Sequence, residues 1–174
     1  MPGSGRDVGE ALVKNEGITG VVFTGSTATA KHINRTLAAR EGAIAPLIAE
    51  TGGQNCMVVD SSALLEQGTD YILLSAFGSA GQRCSALRVL FVQEDIADEL
   101  TDMIKGAMAE LAVGDPGELA TDVGPVIDKY AQAELLKHVG RMKKEATFVA
   151  AAELPADWEE AGTFVAPHAF AIDN

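Results

Sequence analysis

Between residues 18 and 111, short β-rich runs alternate with longer segments whose apolar residues recur every three or four positions. That alternation constrains the chain more than any other feature. A period of two suits a half-buried strand and a period near 3.6 suits a helix stripe, so the order predicts an α/β architecture with parallel or mixed sheets. Residues 18–23, 43–49, 56–59 and 87–93 read as strands. Residues 7–15, 27–40 and 62–79 read as helices, the last a buried one carrying Leu64, Tyr71, Ile72 and Leu74. Asp95 is placed to cap a helix bearing Ile96, Leu100, Ile104 and Met108, and Asp128 to cap another that runs to about Lys144. Residues 148–150 and 164–165 are short strand candidates. The pair Gly52-Gly53 interrupts the pattern and marks a boundary between two units.

The 174 residues are 47% apolar and 22% charged, enough to bury a core without disulfide staples. Two cysteines, Cys56 and Cys84, are too few for a secreted disulfide scaffold, and neither lies in a zinc-type cluster, so no metal is expected. The balance of 13 basic and 25 acidic residues, net −12, repels phosphate backbones and argues against nucleic acid as a partner of this segment. The basic group Lys137, His138, Arg141, Lys143 and Lys144 reads as a solvated helix face. The first residues hold no apolar signal core, and the longest apolar runs are too short to span a bilayer.

Chemistry concentrates in three short segments. In Phe23-Thr24-Gly25-Ser26-Thr27 a strand runs into a glycine and a helix start. Free N–H groups there suit a phosphate, although Ser26 or Thr27 as a plain N-cap explains the same residues. Glu50 ends an apolar strand, where partial desolvation would make it a usable general base; a solvent-facing glutamate is the simpler alternative. In Gly81-Gln82-Arg83-Cys84-Ser85 a cysteine sits in a polar turn beside an arginine, a setting that suits a thiolate nucleophile, and its backbone N–H could face an oxyanion. Cys56, within Asn55-Cys56-Met57-Val58-Val59, reads instead as a small buried thiol.

These three segments, in this order, resemble the aldehyde dehydrogenase superfamily, and the 34-residue separation of Glu50 from Cys84 matches that of the family's base and nucleophile. The wording of residues 47–55, 79–90, 122–128 and 162–167 is similar to the L-glutamate γ-semialdehyde (1-pyrroline-5-carboxylate) dehydrogenase branch, as found in the second module of bacterial bifunctional proline-catabolic enzymes. The resemblance implies NAD as cofactor and a small aldehyde as substrate, with Cys84 as nucleophile and Glu50 as base. It places Thr24, Gly25, Ser26 and Gly52 against the cofactor and Arg83 and Ser85 against the substrate. It implies a partial aldehyde dehydrogenase fold, with residues 1–51 from the end of a Rossmann-like NAD domain and 52–174 from the start of the catalytic domain.

A complete unit of that family is several hundred residues long, so the resemblance makes this chain a middle slice, expected to be inactive alone. The implied parent is a cytoplasmic homo-oligomer. Where it is fused to a proline dehydrogenase module, that separate module carries FAD and the protein visits the inner membrane peripherally. A slice of another semialdehyde dehydrogenase, or a short non-catalytic protein that keeps the fold piece, are the alternatives.

Overall fold

Two β-α-β units with parallel strands organise the chain in the computed structural model, which describes residues 2–156 and 158–172. The chain divides into two compact units between Gly53 and Gln54.

In the first unit, helix α1 (Glu10–Lys14) precedes strand β1 (Val21–Gly25), helix α2 (Thr27–Ala38) and strand β2 (Leu47–Thr51). β1 and β2 pair in parallel, Val21 opposite Leu47 and Thr24 opposite Glu50. The period of two sorts the sheet. Val21, Phe23 and Leu47 pack against Val13, Ile33 and Leu37 of the helices, while Val22 (80% exposed) and Ile48 (59%) share the outer face with Thr24 and Glu50. Arg40 closes the unit: its guanidinium donates to the carbonyls of Glu16 at 3.1 Å and Ile18 at 2.8 Å, fixing the chain's entry into β1.

In the second unit, strand β3 (Asn55–Val59) pairs in parallel with strand β4 (Leu87–Val92) across helix α3 (Leu65–Phe77). Helix α4 (Glu94–Ala109) follows, and α3 and α4 pack with the sheet around Val59, Ile72, Leu87, Leu100, Ile104 and Met108. Helix α5 (Lys129–Glu145), strand β5 (Thr147–Ala151), the short helix α6 (Trp158–Ala161) and strand β6 (His168–Ala171) complete the unit, with β5 and β6 antiparallel. Asp128 caps α5 as expected, its carboxylate accepting from the Ala131 N–H at 2.8 Å. Lys137 and Arg141 stand on that helix's exposed side and pair with Glu134 and Glu145.

Four expectations from the sequence need correction. The N-cap of α4 is Gln93, two residues before Asp95, because the helix starts at Glu94, with the Gln93 side chain engaged by the Ser61 N–H. Residues 164–165 form no strand: Phe164 turns its ring onto Trp158 (centroids 4.7 Å apart), and β5 takes His168–Ala171 as its partner just after Pro167. α3 is buried along one stripe only, through Thr69 and Ile72, and leaves Leu64, Tyr71 and Leu74 exposed. Cys56 is exposed, not buried, because it shares the outer face of β3 with Val58, opposite the face that α3 and α4 cover.

Candidate functional site

The singled-out residues fall into two groups, one in each unit. Thr24, Gly25, Ser26, Glu50 and Gly52 belong to the first, and Arg83, Cys84 and Ser85 to the second.

The first group lies at the carboxyl end of the parallel β1–β2 pair, the end at which α/β sheets take ligands. Ser26 is the N-cap of α2: its Oγ accepts from the Thr29 N–H at 3.1 Å and lies 2.8 Å from the Thr29 hydroxyl. The capping reading of Ser26 therefore holds, and the remaining first-turn N–H groups of a twelve-residue helix emerge beside it. Gly25 has a local reason to be glycine, since a Cβ there would lie 2.5 Å from the ring of Phe23. Gly52 faces open space where a Cβ would stand, which leaves room for a group to approach the backbone. A dinucleotide phosphate fits this donor set and clearance. Glu50 stands beside Thr24 on the outer face, and its side chain is exposed. The desolvation expected for it is not met among the described residues.

The second group is built on a strained turn. α3 ends at Phe77, and Ser79 (φ 57°, ψ 34°) and Ala80 (φ 53°, ψ 31°) are left-handed, followed by Gly81 at φ 67°. Two non-glycine residues in that region cost about 1–2 kcal/mol each, so other contacts must hold the turn. Several do. The Arg88 guanidinium donates to the Gly81 carbonyl. The Gln82 carboxamide donates to the Ser79 carbonyl at 3.2 Å and accepts from the Ile127 N–H at 2.8 Å. Arg83 Nη2 donates to the Leu74 carbonyl at 2.9 Å, binding the Cys84 segment to the end of α3. Cys84 itself is exposed, in a turn closed by the Ala86 N–H on the Arg83 carbonyl at 3.1 Å.

Beside it lies a groove of about 320 Å³ lined by Met57, Tyr71, Leu74, Ser75, Arg83 and Ser85. The two residues flanking Cys84 thus share one concavity whose other wall is the exposed side of α3. It is wide and open to solvent, apolar along Met57, Tyr71 and Leu74 and polar at Ser75, Arg83 and Ser85. Sequence reasoning missed Tyr71 and Leu74 as groove residues, since their spacing is equally that of a core stripe. It also missed Gln82 and Arg88, whose roles depend on the turn.

A strand-to-helix edge at the carboxyl end of one β-α-β unit and an exposed, turn-borne cysteine whose two neighbours line a groove in the next are the features of a class, and the chain as a whole matches it. Residues 1–173 match the model of the aldehyde dehydrogenase family, and the chain belongs to that family. It is 49% identical over its whole length to the bifunctional protein PutA of Escherichia coli, of which it spans 14%. It is 36% identical over 98% of its length to the 1-pyrroline-5-carboxylate dehydrogenase of Geobacillus thermodenitrificans, spanning 33% of that protein. Among solved structures, proline utilization A from Bradyrhizobium japonicum superposes on 98% of the chain with a TM-score of 0.92 and 55% identity, 17% of that protein being covered. A Thermus 1-pyrroline-5-carboxylate dehydrogenase solved with NAD superposes on 98% with a TM-score of 0.88 and 28% identity, 33% of that chain being covered. The fold is that of a part of an aldehyde dehydrogenase. Among the described residues no helix is long and apolar enough to cross a membrane.

Proposed function

We propose that this chain is the base- and nucleophile-bearing part of an NAD-dependent L-glutamate γ-semialdehyde dehydrogenase of proline catabolism. The observation that carries the reading is the 49% identity to bifunctional PutA along the entire chain. The groove that flanks Cys84 with Arg83 and Ser85 supports it.

In this reading the Cys84 thiolate attacks the aldehyde carbon and forms a thiohemiacetal, whose oxyanion is met by the Cys84 N–H. NAD, when bound, would supply the hydride acceptor. Thr24, Gly25, Ser26 and Gly52 would hold it. Loss of hydride leaves a thioester on Sγ. Glu50 takes a proton from water, the hydroxide oxygen bonds to the acyl carbon, and the thiolate leaves as glutamate forms. Ser85 and Arg83 would hold the substrate's charged end. Residues 1–51 would serve the NAD domain and residues 52–174 the catalytic domain. The complete protein would be a cytoplasmic homo-oligomer, and in the bifunctional arrangement it would be joined to an FAD-dependent proline dehydrogenase module and visit the inner membrane peripherally.

The test is a hybrid, the E. coli PutA carrying these residues in place of its own matching segment. It is expected to reduce NAD with 1-pyrroline-5-carboxylate, read at 340 nm, and to lose this with Cys84→Ala. Equal turnover on succinate semialdehyde, or full activity in the Cys84→Ala hybrid, would defeat the proposal.

A further inference from the structure

We propose that Asn55 is a positioning residue for Cys84, acting through the backbone that follows it; this rests on the reading of Cys84 as nucleophile. Asn55 opens β3, and its single carboxamide nitrogen donates to the Cys84 carbonyl at 2.7 Å and to the Ala86 carbonyl at 3.0 Å. Both partners are acceptors, so chemistry fixes which end of the amide faces them. The Arg83 carbonyl is meanwhile held by the Ala86 N–H. The peptide planes before and after Cys84 are therefore each pinned by their carbonyl. Because a peptide is planar, pinning the Arg83 carbonyl aims the Cys84 N–H the opposite way. The N–H that would meet an oxyanion, and the Cα–Cβ bond that carries the thiol, thus inherit their direction from the Asn55 clamp and the Arg83–Ala86 turn.

The strand pairing makes this possible. Asn55 pairs with Leu87 but Cys56 pairs with Val89, so the ladder skips Arg88. An irregularity of this kind re-aims side chains, and here it frees two of them. The Asn55 carboxamide turns to the Cys84 segment, and the Arg88 guanidinium turns to the Gly81 carbonyl. No other residue type of this size does the same work. Aspartate would set a carboxylate against two carbonyl oxygens, alanine would leave both unbonded, and serine has one donor to offer.

The test has two arms. In the full chain, amide exchange of Ala86 is measured by NMR for Asn55, Asn55→Ala and Asn55→Ser, with the Leu100 amide of the core as control. At least tenfold faster exchange at Ala86 in Asn55→Ala, an intermediate value in Asn55→Ser and unchanged Leu100 protection are expected. In the PutA hybrid, Asn55→Ala and Asn55→Asp are expected to lower kcat at least tenfold with KM for NAD within twofold, and Asn55→Ser to recover part of the loss. Ala86 exchange or hybrid kcat within twofold of the Asn55 form overturns the positioning role while Cys84→Ala remains inactive. Turnover that survives Cys84→Ala instead overturns the nucleophile assignment, and the positioning role with it.

Discussion

Substituting Gly81 by alanine tests the turn that presents Cys84. The backbone there is left-handed at φ 67°, and a Cβ would lie 2.7 Å from the Ala76 carbonyl oxygen and 2.9 Å from the Arg88 guanidinium. The backbone penalty is about 1–2 kcal/mol, and forcing a methyl against a fixed carbonyl adds about 1–3 kcal/mol. The sum, about 2–5 kcal/mol, is a large share of the stability of a small domain. The single tryptophan, Trp158, lies in the same unit, packed on Phe164. Its fluorescence in a urea titration therefore follows the unit that carries the turn. With an m-value of about 2 kcal/mol/M, the midpoint should fall by about 1–2.5 M. Gly68→Ala, in α3 of the same unit, is the control, because its Cβ meets open space and its φ is not left-handed, and it should not lower the midpoint. A Gly81→Ala protein that unfolds within about 0.5 kcal/mol of the parent would refute the geometry, since neither cost could then be present.

Four further outcomes are expected. Leu100 is fully buried, so Leu100→Ala should cost about 2–5 kcal/mol in the same titration. Asp128→Ala removes the cap bond to the Ala131 N–H and should cost about 1 kcal/mol, whereas Asp128→Asn should keep most of it. The Ser62 hydroxyl, then the Ser62 N–H, hold the Asp60 carboxyl below its ordinary value. A depressed carboxylate stabilises the fold above the unfolded value of about 3.9 and loses that contribution as pH falls through the lower folded value; an NMR titration of Asp60 should move upward in Ser62→Ala. Cys56 and Cys84 are both exposed, so a thiol reagent should label two cysteines without denaturant, and only one in Cys56→Ser.

Much of the molecule could be read from local pattern. The β1 and β4 strands, the caps at Ser26 and Asp128 and the turn around Cys84 follow from residue types and spacing that act within a few positions. What could not be read depends on distant partners. Asn55 looks like an ordinary residue after a glycine pair, and its partners lie 29 and 31 residues on. Ser79 and Ala80 carry no signal for left-handed backbone, because the tertiary contacts of Gln82 and Arg88 impose it. Cys56 reads as buried in the sequence but is exposed, since a period of two says which residues share a face, but not which face is covered.

That uncovered face has a consequence for how the chain behaves in a tube. Val58 (74% exposed) stands opposite Phe91 (49%) in the β3–β4 ladder, as Val22 stands opposite Ile48 in β1–β2. Each pair is a small sticky patch on a flat strand surface, the kind of feature that drives proteins to aggregate. A net charge of −12 opposes this by keeping molecules apart, but only over a screening length of about 10 Å at 0.1 M salt and about 3 Å at 1 M. Salt removes the repulsion and leaves the stickiness. Colloidal stability should therefore be highest in dilute buffer well above the pI of about 4.5 and fall as either salt or acid is added.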